Sequence, residues 1–265
     1  MTVNAGASKH GEYFLVGINY GVLYNLFSFF HSKSEIFKQP EFSEYSKLFK
    51  DFNLKPQDFL TVIAFQFIFF HEIAHLVQLK STEDFSFNEN SPEYIESENV
   101  FSRHVHEFDA DWFGSCKSML ASLKLLEDRA TFPIDGVIKQ VTTLVITSIA
   151  SYFIESSTNK PLYFEELKHP HNFIRFLYIT EFILLLVIHN FPTIAIAPNE
   201  ITSEFLRLAN AFFFEEKDNP FINFIEAYQN KKSEINIYIQ KLKKQASQHN
   251  HLALQQLHSK DMSSN

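Results

Sequence analysis

A single cysteine, Cys116, in 265 residues excludes an internal disulfide framework and fits a reducing compartment. Glycine is scarce as well, at 6 residues, and without glycine-marked turns a many-stranded architecture is hard to build. The 23 basic residues are outnumbered by 31 acidic ones, for a net charge of −8. A nucleic-acid footprint, which needs a basic face, is therefore not expected. The opening residues MTVNAGASKHGE lack the charged and apolar regions of a secretory signal, so a cytoplasmic location is expected. Unbroken apolar runs are missing too. VTTLVITSIASYFI (141–154) falls short of the about 20 residues that cross a bilayer. The stretch 176–197 is long enough but is interrupted by Glu181, His189, Asn190 and Pro192. Both read as buried core helices, and no membrane partner is expected.

What the chain has in excess is phenylalanine, 31 residues of it, within a composition that is 45% hydrophobic. That suffices for a sizeable core. The expected fold is all-α, with a minor N-terminal strand or small sheet: residues 12–30 open as a strand and continue as a helix. A short amphipathic helix is expected over 41–52. Pro56 suits the first position of a longer helix running to about Lys80. STEDFSFNENSP (81–92) is polar and closed by proline, so it reads as a surface loop. Further helices are expected at 93–127, 135–155, 171–190, 200–215 and 221–243. No composition shift marks a linker, so residues 1–243 read as one domain. Residues 244–265 read as a polar, flexible tail, with a helical turn possible at LALQQL.

Within the long helix stands FFHEIAHLVQ (69–78). Residues four apart share a helix face, so His71 and His75 can aim both imidazoles at one point. A tetrahedral zinc takes two of its ligands in this way. Glu72 projects about 100° around the helix, where it can take a proton from an activated water. Chance predicts only ~0.05 such patterns at this composition. Moreover, FLTVIAFQFIFF (59–70) carries no ionisable group before three arrive together, and burying all three without a metal is costly. A third ligand is then expected downstream. In HVHEFDADWFG (104–114), Glu107 and Asp111 lie one helical turn apart, with Ala110 just before the aspartate. His104, three residues before Glu107 on the same face, could reach the metal region from the substrate side. KHPHNFIRF (168–176) adds His169, Pro170 and Arg175, with His171 as an alternative to His169.

These segments resemble the gluzincin zinc metallopeptidases, in which HExxH is followed by a glutamate ligand on a second helix and an aspartate one turn later. The ExxAD version and the His-Pro…Arg segment are most similar to the heat-shock and prenyl-protein-processing endopeptidases. A soluble chain of this size also resembles the phage-exclusion (Lit-type) peptidases. The resemblance implies one zinc ion per chain, with Glu107 as the third ligand beside His71 and His75. It implies that Asp111 holds the far nitrogen of His71, and that His169 lies near the metal while Arg175 anchors acidic groups. Ala110 and Gly114 would let the two helices approach closely. The extended HExxHxxGxxH form is absent, because Gln78 and Ser81 stand at its glycine and third-histidine positions.

The expected function is therefore zinc-dependent hydrolysis of a peptide bond in a cytoplasmic protein, with Glu72 as general base and His169 as a donor to the oxyanion. Phage exclusion is the setting that the Lit-type resemblance implies. Two alternatives stand beside this reading. One is an interaction protein with a non-catalytic zinc site. The other is a membrane-associated processing protease. A closed structural site normally has four ligands and often uses cysteine, and Cys116 lies on a poor face to join.

Overall fold

The computed structural model describes residues 5–50, 54–78, 85–88, 100–127, 134–156, 161–192, 197–214 and 220–248. The fold is mainly helical with a small sheet, as expected. The chain opens with strands β1 (Ala5–His10) and β2 (Tyr13–Ile18), joined by a two-residue loop. Gly11, at φ 60°, supplies the positive φ that such a tight hairpin demands. Asn19 then caps α1 (Tyr20–Ser32), its Oδ1 accepting from the Gly21 amide at 2.8 Å. Two short 3₁₀ turns lead to α2 (Ser43–Leu48). Helix α3 (Pro56–Gln78) begins on its proline, whose missing N–H costs nothing in a first turn.

Strand β3 (Phe85–Asn88) corrects the surface loop expected over 81–92. It pairs antiparallel with β1, giving the order β2-β1-β3. The physical signal is the alternation Phe85-Ser86-Phe87-Asn88, too brief to stand out beside its polar neighbours. Then come α4 (Val100–Glu127), α5 (Ile134–Ser156), α6 (Asn172–Asn190), α7 (Pro198–Phe213) and α8 (Pro220–Gln248). Helix α8 bends at Lys231 and continues past residue 244, burying Ala246. That corrects the expected start of the tail. Residues 93–99 of the expected fourth helix, and the LALQQL turn, lie outside the described residues.

Helix α3 is the central element, packed against α1, α4, α5 and the sheet. Fully buried rings fill the core, Phe59 and Phe67 from α3 itself and Phe30, Phe108 and Phe212 from other helices. Each such ring contributes about 1.5–3 kcal/mol on burial. Helix α5 is buried on most sides despite Thr142, Thr147 and Ser148. The two threonine hydroxyls donate to the carbonyls of Ile138 (2.6 Å) and Thr143 (2.8 Å). Ser148 reaches across to the Leu60 carbonyl at 2.6 Å, tying α5 to α3. Three helices, α3, α5 and α6, are nonetheless long and apolar enough to cross a membrane; 78% of the α5 window is buried, against 50% for each of the others.

Helix α4 approaches the backbone of α3 closely at Gly114. A methyl group there would sit 3.1 Å from the Phe67 carbonyl oxygen and 3.2 Å from the His71 amide nitrogen. Both are helix backbone, which cannot turn aside as a side chain can. Gly114→Ala is expected to push the two helices apart and lower stability by about 1–3 kcal/mol. Chemical denaturation checks this, and an unchanged midpoint would show that the helices can give.

Candidate metal centre

Where α3 crosses α4, three side chains converge. His71 and His75 project from one face of α3 and meet Glu107 from α4, all three almost fully buried. The Nε2 atoms of the two histidines stand 3.1 Å apart. His71 Nε2 lies 3.5 Å from Glu107 Oε2, and His75 Nε2 lies 3.4 Å from Oε1. Ligand atoms on a tetrahedral zinc stand roughly 3.3–3.6 Å apart, given bonds of 2.0–2.2 Å. The two histidine–glutamate separations, one to each carboxylate oxygen, fall in that range, and the histidine pair stands slightly closer.

The donor set fits zinc on a second count. Buried Glu107 Oε2 has the Arg175 guanidinium 3.2 Å away but accepts no hydrogen bond of good geometry, so it keeps acceptor capacity to be filled. A cation held by two imidazoles and this oxygen would satisfy it. Among the described residues no other group of histidine, cysteine and carboxylate side chains converges in this way. Cys116 is buried elsewhere on α4, and burial pushes its thiol up to about 12, far from a thiolate ligand.

The surrounding charges are arranged around Glu107 and Asp111. Asp111, fully buried, accepts from Arg175 Nη2 (2.7 Å) and Nε (2.8 Å) and from the Tyr178 hydroxyl (2.6 Å). Its Oδ1 also lies 2.9 Å from His71 Nδ1. Burial opposes ionisation, but Arg175 and His71 outweigh it and hold Asp111 below the usual aspartate range. Glu107 is likewise depressed well below its ordinary value: burial is overcome by His169, Arg175 and His75. Arg175 Nη2 stands 3.2 Å from Glu107 Oε2, so one guanidinium serves both carboxylates.

His169 is the one partly exposed member of the group. Its side chain is 28% exposed, and its Nδ1 lies 3.2 Å from Glu107 Oε1. His171 is placed differently. It caps α6, its Nδ1 accepting from the Phe173 amide at 3.2 Å, and its ring packs edge-on to Tyr163. Glu72 is buried, and its charge acts on His75. His104, a possible neighbour of the site, is not among the three converging side chains, although Glu107 and His169 act on it electrostatically. One ring nitrogen contacts the Tyr238 hydroxyl and the other the Leu167 carbonyl at 2.8 Å, and burial lowers its proton affinity. It ties α4 to α8 and to the segment before α6.

Two contributors carry no signal of their own in the sequence. Tyr178 cannot be singled out from other tyrosines, since its position one turn past Arg175 gains meaning only once α6 packs on α4. Gln78 stands out only as a departure from the glycine of the extended signature. Its amide bridges His75 Nδ1 (2.9 Å) to Asp109 Oδ2 (2.8 Å) and the His106 carbonyl (2.9 Å). Burial raises Asp109 to about 6, against the pull of Gln78.

Comparison of the chain with protein-family models, with curated proteins and with solved structures finds no match. The residues themselves carry the functional argument.

The protonation of His75 has a measurable consequence for metal binding. Burial disfavours a charged His75, but Glu107, Glu72 and Gln78 outweigh it and raise its pKa to about 9. A metal must displace that proton, so below pH 9 the proton competes with it. Apparent zinc affinity is expected to rise between pH 6 and 8, by about tenfold per unit for one displaced proton. Chelator competition at several pH values checks the slope. A flat profile would mean that His75 gives up no proton on binding.

Proposed function

We propose that this protein is a zinc-dependent endopeptidase acting on a protein substrate. The observation that carries the reading is the convergence of His71 Nε2 and His75 Nε2, 3.1 Å apart, on the Glu107 carboxylate, whose two oxygens lie 3.5 and 3.4 Å from them, with Glu72 following His71 on the same helix. Zinc held by His71, His75 and Glu107 would supply a Lewis acid, able to acidify water and polarise a carbonyl.

The chain's own residues have separable tasks. Glu72 accepts a proton from the attacking water and returns it to the leaving amine. The proposed task of His169, partly open to solvent and beside Glu107, is to donate a hydrogen bond to the oxygen on which negative charge develops. Asp111 and Arg175 hold His71 and Glu107 in place. Three protein ligands leave a coordination position open, as in catalytic sites, whereas structural sites are closed by four. That favours an enzyme over a non-catalytic zinc protein. The Lit-type resemblance makes a cytoplasmic substrate in phage exclusion the preferred setting. The membrane-associated reading draws on α3 and α6, which expose Val62, Phe69, Leu185 and Ile188. Fractionation of the expressed chain without detergent separates these settings.

Elemental analysis of the purified protein tests the metal assignment. One zinc per chain is expected, and none when His71, His75 and Glu107 are replaced together by alanine. Undiminished zinc in that triple variant would refute the site.

A further inference from the structure

We propose that Gln78 is a positioning residue that fixes the ring of His75 with Nε2 turned toward the metal. The inference rests on the zinc-site reading and adds to it the device that orients the second histidine. The His106 carbonyl can only accept, so the Gln78 atom 2.9 Å from it must be the amide nitrogen. The same nitrogen reaches Asp109 Oδ2 at 2.8 Å. The other end of the amide is therefore its oxygen, and it faces His75 Nδ1 at 2.9 Å. An oxygen there requires a proton on Nδ1. In neutral His75 the lone pair then resides on Nε2, the atom 3.1 Å from His71 Nε2 and 3.4 Å from Glu107 Oε1.

The arrangement parallels the one at His71, whose Nδ1 faces Asp111 directly, but the chemistry differs. Four buried carboxylates, Glu72, Glu107, Asp109 and Asp111, already crowd the centre. A neutral amide supplies the acceptor that His75 needs without a fifth negative charge. Its nitrogen also donates to the buried Asp109 carboxylate. Gln78 stands one turn beyond His75, at the end of α3, where a side chain of this length can span both helices. Partners of this kind set the tautomer and basicity of a ligating histidine, and their loss typically weakens metal binding 10–100-fold.

The test uses zinc as the probe and the full chain. In zinc-loaded wild type, nitrogen NMR should show His75 bound through Nε2, with a slowly exchanging Nδ1–H. Gln78→Met, which keeps length and bulk, should bind zinc roughly 10–100-fold more weakly in chelator competition and lose the protected Nδ1–H. His75 coordinated through Nδ1 would overturn the proposal from the wild type alone, whether or not the variant folds. So would a Gln78→Met protein with unchanged affinity and an unchanged Nδ1–H signal. Either result would leave the zinc site standing, whereas zinc retained by the His71, His75 and Glu107 triple variant removes the site itself.

Discussion

Glu72→Gln should keep the fold and the zinc and abolish the cutting of protein substrates. The side chain is buried, 3% exposed, and follows His71 on α3, so the variant must preserve shape to be informative. Glutamine does so, with one oxygen replaced by an amide nitrogen. What it loses is the ability to accept a proton from water and carry it to the leaving amine. A positioned general base contributes about 10²–10⁴-fold to such reactions, and the loss should take turnover to background. The proposed ligands His71, His75 and Glu107 are untouched, so zinc content should match wild type. A proteome-wide search for new N-termini, after expressing each form, works without a candidate substrate. If Glu72→Gln yields the same new termini as wild type, Glu72 is not the base. If neither form yields any while both carry zinc, the non-catalytic reading gains.

The sequence and the structure agree wherever the information is local. Pro56 marks the start of α3, and the apolar runs mark the helices that fill the core. The four-residue spacing of His71 and His75 is a property of one helix, and Glu107 with Asp111 of another. Gly114 is readable because a residue without a side chain permits close approach, and its missing Cβ is what the Phe67 and His71 backbones require. Illegible features depend on which helix lies against which. Tyr178 and Asp111 are 67 residues apart in the chain, and Gln78 and Asp109 are 31 apart. No periodicity connects them. His104 has only half of its setting written in the sequence. Its spacing from Glu107 suggests the centre, whereas the packing of α8 supplies Tyr238 and claims the ring. Strand β3 is visible only through its partner, since four residues gain little from their own pattern until β1 offers a ladder.

Asp111→Ala should be the most damaging single change to stability, and it separates two roles of one carboxylate. Asp111 has no solvent exposure and accepts two hydrogen bonds from Arg175 and one from Tyr178, while facing His71 Nδ1. Removing it strands a buried guanidinium, whose remaining carboxylate neighbour is Glu107 at 3.2 Å. Breaking a buried pair from one side typically costs about 3–5 kcal/mol. Because Asp111 is held below its ordinary pKa, its contribution is present above the unfolded value and fades only as pH falls through the lower folded one. The stability gap between wild type and variant should therefore persist at neutral pH and narrow only in acid. Zinc affinity should fall as well, by roughly 10–100-fold, because the His71 ring is freed. The double variant Asp111→Ala with Arg175→Met distinguishes the effects. Taking away the stranded charge should recover part of the stability, yet leave zinc binding weak, since nothing then holds His71 Nδ1. Denaturant titration and chelator competition on the same three proteins measure both quantities. Zinc affinity restored together with stability would mean that Asp111 supports the fold alone and does not orient His71.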